Sequence, residues 1–181
     1  MTGAGRIYRY VGPAEVKAAV RPEGEGRAIR SMADFEGWVV ARSAVELAEP
    51  FTFVVDLEGV LRLAPRRSEH AACAGSGPVL GAGEIGFQRA DGGWVVGEIS
   101  NHSTGYCPDT SSWTAVARAL ARVGLRCPSG FTYEVVFRRC LACQEVSIVR
   151  EDDFVCVFCG NDLPARWNVD PVDLPGDSRQ R

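Results

Sequence analysis

Long apolar runs are missing from this chain of 181 residues. None approaches the roughly 18–20 residues that a membrane-crossing helix requires, so no membrane association is expected. The opening Met1-Thr2-Gly3-Ala4-Gly5-Arg6 lacks the continuous apolar segment of a secretory signal. The expectation is a cytoplasmic protein, in which Asn101-His102-Ser103 has no meaning as a glycosylation acceptor. Positive charge is not in excess either: 20 Lys and Arg stand against 23 Asp and Glu. Such a balance supplies no broad cationic field for sequence-independent nucleic-acid binding, although a local basic patch is compatible with it. Histidine occurs only at His70 and His102. No internal repeat is found at the 20–50-residue scale.

What is present is ordinary for a folded chain. Hydrophobic residues at 46% and charged residues at 24% exclude global disorder. The length suits one domain with a real core, or one domain plus a small appendage.

Cysteine is the informative residue. There are seven, an odd number, and a reducing compartment argues against disulfides. Cys73, Cys107 and Cys127 stand alone. The other four form Cys140-Leu141-Ala142-Cys143, twelve intervening residues, then Cys156-Val157-Phe158-Cys159-Gly160. A two-residue gap lets a tight turn aim two thiolates at one ion, and zinc takes four such ligands tetrahedrally. Val146, Ile148 and Val155 can build a short hairpin that returns the second pair opposite the first. Gly160 permits the backbone twist after the second pair. Redox dithiols are the competing reading, but they open a helix after a strand, whereas these pairs sit among strand-forming residues. Buried spectator cysteines would not recur twice at equal spacing. Four thiolates would equally suit iron. The pattern resembles a zinc ribbon, with Gln144 where a glycine is common, and implies a structural Zn2+ held by Cys140, Cys143, Cys156 and Cys159.

The rest reads as α+β: a mostly antiparallel sheet with a few helices, followed by the C-terminal zinc ribbon. Residues 1–130 form the α+β domain, 131–169 the ribbon, and 170–181 a loose tail rich in Pro, Asp, Ser and Arg. Pro13 opens a short helix to Val20 and Pro22 breaks it. Ser31 starts a second helix. Residues 51–55 and 60–63 flank a turn at Leu57-Glu58-Gly59. Residues 84–88 and 94–99 flank Asp91-Gly92-Gly93 as a hairpin. Ser111 or Ser112 caps a helix whose stripe is Trp113, Val116, Ala117, Leu120 and Val123, closed by Gly124. Residues 131–137 read as a strand leading into the cysteines.

Gly81-Ala82-Gly83-Glu84-Ile85-Gly86 matches a dinucleotide fingerprint in letters only, because Phe87 and Gln88 continue a strand where that motif needs a helix. Two polar stretches carry more chemistry. Arg66-Arg67-Ser68-Glu69-His70 precedes the glycine-rich loop, and Ser100-Asn101-His102-Ser103-Thr104-Gly105-Tyr106-Cys107-Pro108 lies between strand and helix. Loops so placed hold ligands, and they also serve as plain turns and caps. The candidate ligand residues are His70, Glu84, Asn101, His102, Ser103 and Tyr106.

The stretch from Phe51 to Leu125 resembles a domain found in bacterial proteins and in plant IQ-motif calmodulin-binding proteins. There a His precedes a glycine-rich loop, then Ala-Gly-Glu, a hairpin and S-G-H-Y-x-P before a helix. Here His70 precedes Ala74-Gly75-Ser76-Gly77, then come Ala82-Gly83-Glu84, and Ser103-Thr104-Gly105-Tyr106-Cys107-Pro108 takes the last position. Gly105 replaces the family's His. The resemblance implies a shared α+β scaffold, with no counterpart of the calmodulin-binding segment.

Three functions follow. The first is a non-catalytic module that binds a small-molecule ligand or a protein partner through a polar pocket near residues 100–108. The second is an enzyme using His70 or His102 with Glu84 or Glu98 as its partner, or Cys107 as a nucleophile with His102. The third is nucleic-acid binding through the ribbon, with Arg138 and Arg139 beside it and Phe158 and Trp167 to stack on bases. Glu145, Glu151, Asp152, Asp153 and Asp162 make the ribbon acidic, which disfavours the third and favours a protein partner there.

Overall fold

A computed structural model describes residues 5–170, so the tail expected at 170–181 lies outside the described residues save for Asp170. Five α-helices are present among the described residues: α1 (Ala14–Ala18), α2 (Met32–Val40), α3 (Ala44–Leu47), α4 (His70–Cys73) and α5 (Trp113–Val123). Seven strands accompany them: β1 (Arg27–Ile29), β2 (Phe51–Val55), β3 (Leu61–Ala64), β4 (Gly81–Ala90), β5 (Gly93–Ile99), β6 (Val136–Arg139) and β7 (Val146–Val149). The architecture is α+β. The first five strands form one antiparallel sheet in the order β1-β3-β2-β4-β5, and β6 pairs β7 separately.

Alternation along β2 assigns the two faces of the large sheet. Phe51, Phe53 and Val55 join Leu61, Leu63, Ile85 and Ile99 in a core closed by Phe35 and Trp38 of α2 and by Val116, Leu120 and Val123 of α5. Trp38 meets Phe51 edge-on with centroids 4.7 Å apart. Each such side chain, fully buried, contributes on the order of 1.5–3 kcal/mol. Val54, Ala64 and Ala82 face the other way and pack on Cys73, Tyr8, Val79 and Tyr106. The sheet is thus covered on both faces, and α4 with the segment around Tyr106 forms the second layer.

The local signals acted as their chemistry dictates, with several adjustments. Ser31 caps α2 by accepting from the Asp34 amide, and Asp34 reaches back to the Arg30 amide. Gly124, at φ 90°, closes α5 in the left-handed region. At its other end α5 has no side-chain cap: a 3-10 turn over Thr110–Ser112 feeds it instead. Pro13 lies just before α1 rather than inside it. The strand expected over residues 131–137 starts only at Val136. Gly81 to Gly86 run inside β4, so this glycine pattern opens no helix. Its glycines serve close packing: a Cβ on Gly83 would strike the carbonyl of Ser100, and one on Gly81 would lie 2.8 Å from Val116.

Asn101 fastens the small sheet to the large one, and Asn168, from the segment that follows the cysteines, secures the end of β6. Asn101, fully buried, donates to the carbonyls of Pro108 (3.0 Å) and Val135 (2.8 Å) and accepts from the Val135 amide (2.7 Å). Asn168 accepts from the Arg139 amide (2.9 Å) and donates to its carbonyl (2.8 Å). Each amide imitates a neighbouring strand, one just before β6 and one at its end. Arg138 donates to the carbonyls of Pro164 and Ala165, and the Trp167 indole donates to Cys107.

Replacing Asn101 with Ala removes three buried hydrogen bonds, and buried groups left unpaired cost about 1–3 kcal/mol each. The expected loss is about 3–5 kcal/mol, read as a lower urea midpoint at unchanged slope.

Candidate metal centre and polar cluster

Four sulfurs converge at the end of the β6–β7 hairpin. The Sγ atoms of Cys140, Cys143, Cys156 and Cys159 all lie within 4.8 Å of one another, with Cys140–Cys159 and Cys143–Cys156 each at 3.6 Å. A tetrahedral ion with bonds of ~2.3 Å to sulfur separates its ligands by about 3.8 Å, so the spacing fits one metal ion. The two pairs are presented alike. Each opens a turn whose last amide returns to the first cysteine carbonyl: Gln144 to Cys140 at 3.0 Å, and Gly160 to Cys156 at 2.9 Å. Both turn residues are left-handed, Gln144 at φ 64° and Gly160 at φ 75°. Gln144 therefore does the work expected of glycine, and its side chain donates to the Leu141 carbonyl.

The first pair forms the tip of the β6–β7 hairpin, while the expected return between the pairs turns at Glu151 and Asp152, with Arg150 bridging Asp153. Val155 then bridges Asp162 around the second pair.

Polar neighbours prepare the sulfurs for a cation. The Ser147 hydroxyl donates to Cys156 at 3.4 Å and holds that thiol down to about 6. Asn161 donates to Cys159 at 3.3 Å and lowers it as well. Cys143 moves the other way, to about 12: the Glu145 amide favours its thiolate, but burial and the other three sulfurs outweigh that bond. Four sulfurs this close cannot all shed protons unless a positive charge sits among them.

The polar residues of the middle segment divide into two groups. Asn101 is committed to the backbone, as described. Ser103 accepts from the Tyr106 amide at 3.3 Å, and the buried Tyr106 hydroxyl donates to the Gly77 carbonyl at 2.6 Å. These three have their polar atoms turned inward. His70, Glu84 and His102 instead gather beside the inner strand β4. His70 Nε2 lies 2.9 Å from the Gly83 carbonyl, and His102 Nδ1 lies 4.0 Å from Glu84 Oε2. The Ser100 hydroxyl accepts from the amides of both Glu84 and His102. Beside them Glu84, Glu98, Pro50, Thr132 and Tyr133 line a groove of about 160 Å³.

Cys107 offers no nucleophile to this group. It is buried, its thiol lies 3.4 Å from the Thr104 carbonyl, and burial pushes it up to about 12. Trp167 is committed too, edge-on to Tyr8 at 5.4 Å and hydrogen-bonded to Cys107, so it is not free to stack on a base. At Gly105 a Cβ would lie 2.8 Å from the Tyr10 ring. Sequence reasoning missed the structural roles of Asn168 and Ser147; a serine one residue into the strand after the first pair was the available signal for the latter.

No protein-family model matches the chain, and no curated protein or solved structure matches it. The likeness of residues 51–125 to the domain of the plant IQ-motif proteins gains no support from these comparisons.

Burial lowers the His70 pKa against the opposing pull of the Gly83 carbonyl. The unfolded chain therefore takes up this proton first, and stability falls as pH drops below about 6.5 towards the lower folded value. His70→Gln should reduce the loss between pH 6.5 and 5, measured as the difference in urea midpoints between the variant and the parent chain.

Proposed function

We propose that this chain is a zinc-binding cytoplasmic protein of non-catalytic function, in which one structural Zn2+ fixes the ribbon and the α+β body presents a binding surface. The observation that carries the reading is the closed set of four sulfurs, held by two matching turns and hydrogen-bonded by Ser147 and Asn161. Four thiolates leave no open coordination position for substrate or water, so the metal is a staple rather than a reagent. Thiolate ligation suits a reducing compartment.

A small ligand or protein partner would meet the exposed parts of Glu84 and His102 rather than the whole polar stretch, since Asn101, Ser103 and Tyr106 are spent on the fold. The acidic residues Glu145, Glu151, Asp152, Asp153 and Asp162, all exposed, weigh against phosphate backbones at the ribbon.

Elemental analysis of the full chain purified without added metal should find one zinc per molecule. Cys156→Ser should lose the metal and melt at lower temperature, because zinc contributes on the order of 10–16 kcal/mol in small zinc peptides. Ser147→Ala should keep the metal but bind it roughly 10–100-fold more weakly in competition with a chromophoric chelator. Stoichiometric iron, or no metal, defeats the reading.

A further inference from the structure

A groove larger than the one beside Glu84 lies elsewhere. It has a volume of about 470 Å³ and runs between α5, the β2–β3 turn and the start of the described chain. That volume is in the range of small-molecule sites. Ile7, Leu57, Leu80 and Ala115 give it an apolar lining, and Ile7 and Leu57 are each 48% exposed.

Arg118 and Arg122 stand on one wall, a helical turn apart on α5. Arg122 is fixed in place, donating from Nη1 to the carbonyls of Glu58 (3.0 Å) and Gly59 (3.2 Å). The turn allows this approach because Gly59 has φ 74° and no side chain; a Cβ there would lie 3.3 Å from Arg122 Nη2. Arg118 has no hydrogen bond or ion pair among the described residues. Two guanidiniums four residues apart repel each other, and no carboxylate on α5 separates them. Wet apolar surface beside two neighbouring cations, one of them held in place, is suited to one kind of ligand: an oxyanion on an apolar body.

We propose that this groove binds a small anionic amphiphile. Its carboxylate or phosphate head sits between Arg118 and Arg122, and its apolar body covers Leu80, Ala115, Ile7 and Leu57. Glu58 at the rim sets a limit: its carboxylate repels a polyanion such as nucleic acid while tolerating a single compact head. Thr114 adds a hydroxyl on the same helix. The proposal goes beyond the zinc reading and does not need it.

Titration calorimetry of the full chain with decanoate, decyl phosphate and decanol, each below its micelle concentration, tests it. One or both anions should bind saturably with one site, and the choice between them identifies the head. Decanol should bind at least tenfold more weakly. Arg118→Gln should weaken the anion at least tenfold, while Arg126→Gln, which lies away from the groove, leaves it unchanged. Zinc content and melting temperature of Arg118→Gln should equal those of the parent chain, which separates this result from any failure of the metal site. Decanol binding as tightly as the anions, no saturable binding of either anion, or unaltered affinity in Arg118→Gln would overturn the proposal.

Discussion

One buried amide joins the two sheets of this protein. Asn101 stands just past the end of β5, with no exposed surface, and grips Val135 by both of its backbone groups. A third bond to Pro108 folds the intervening loop back on itself. No apolar side chain could do this, because the groups it holds are peptide groups that burial has cut off from water. Asn168 repeats the device at the far end of β6. The ribbon is therefore attached to the body by Asn101 just before β6 and by the Trp167 indole on the Cys107 carbonyl, with Phe137, Val135, Val169 and Cys107 filling the seam between them.

The sulfur cluster works at the other end of the same hairpin. Its apolar neighbours are few: Val149 and Leu163 are the buried ones beside Cys140 and Cys156. A unit so small has little hydrophobic stabilisation of its own. The matching backbone turns at Gln144 and Gly160 bring the sulfurs to ion-binding distance. Asn101 of the body supplies hydrogen bonds at one end of the hairpin, and at the other the four cysteines form a cluster that could hold a metal ion.

Most of the fold could be read in the chain. The β-branched and aromatic residues 51–55 and the turn residues around Gly59 and Gly92 specify strands, and the stripe from Val116 to Val123 specifies α5, because residue preference, side-chain period and backbone freedom are local properties. The cysteine cluster that could hold a metal ion could be read for the same reason: its spacing is itself the geometry. The polar stretch at 100–108 could not. A serine, an asparagine and a tyrosine in a loop look alike whether they await a ligand or satisfy the backbone, and the difference lies in partners such as Val135 and Gly77, which are distant in sequence. Short elements such as β1, α3 and α4 escaped notice because three or four residues carry too little period to stand out, although Ser43 and Glu46 form a complete capping box.

Gly105 has a consequence for how this scaffold can vary. The Val11 amide donates to the Gly105 carbonyl, and the Tyr10 ring leans on Tyr106 with its edge over the missing side chain. An imidazole at position 105 and the phenol of Tyr10 would compete for one volume. The N-terminal segment is thus seated where the loop beneath it carries no side chain, and any larger residue at 105 would need a matching change at Tyr10.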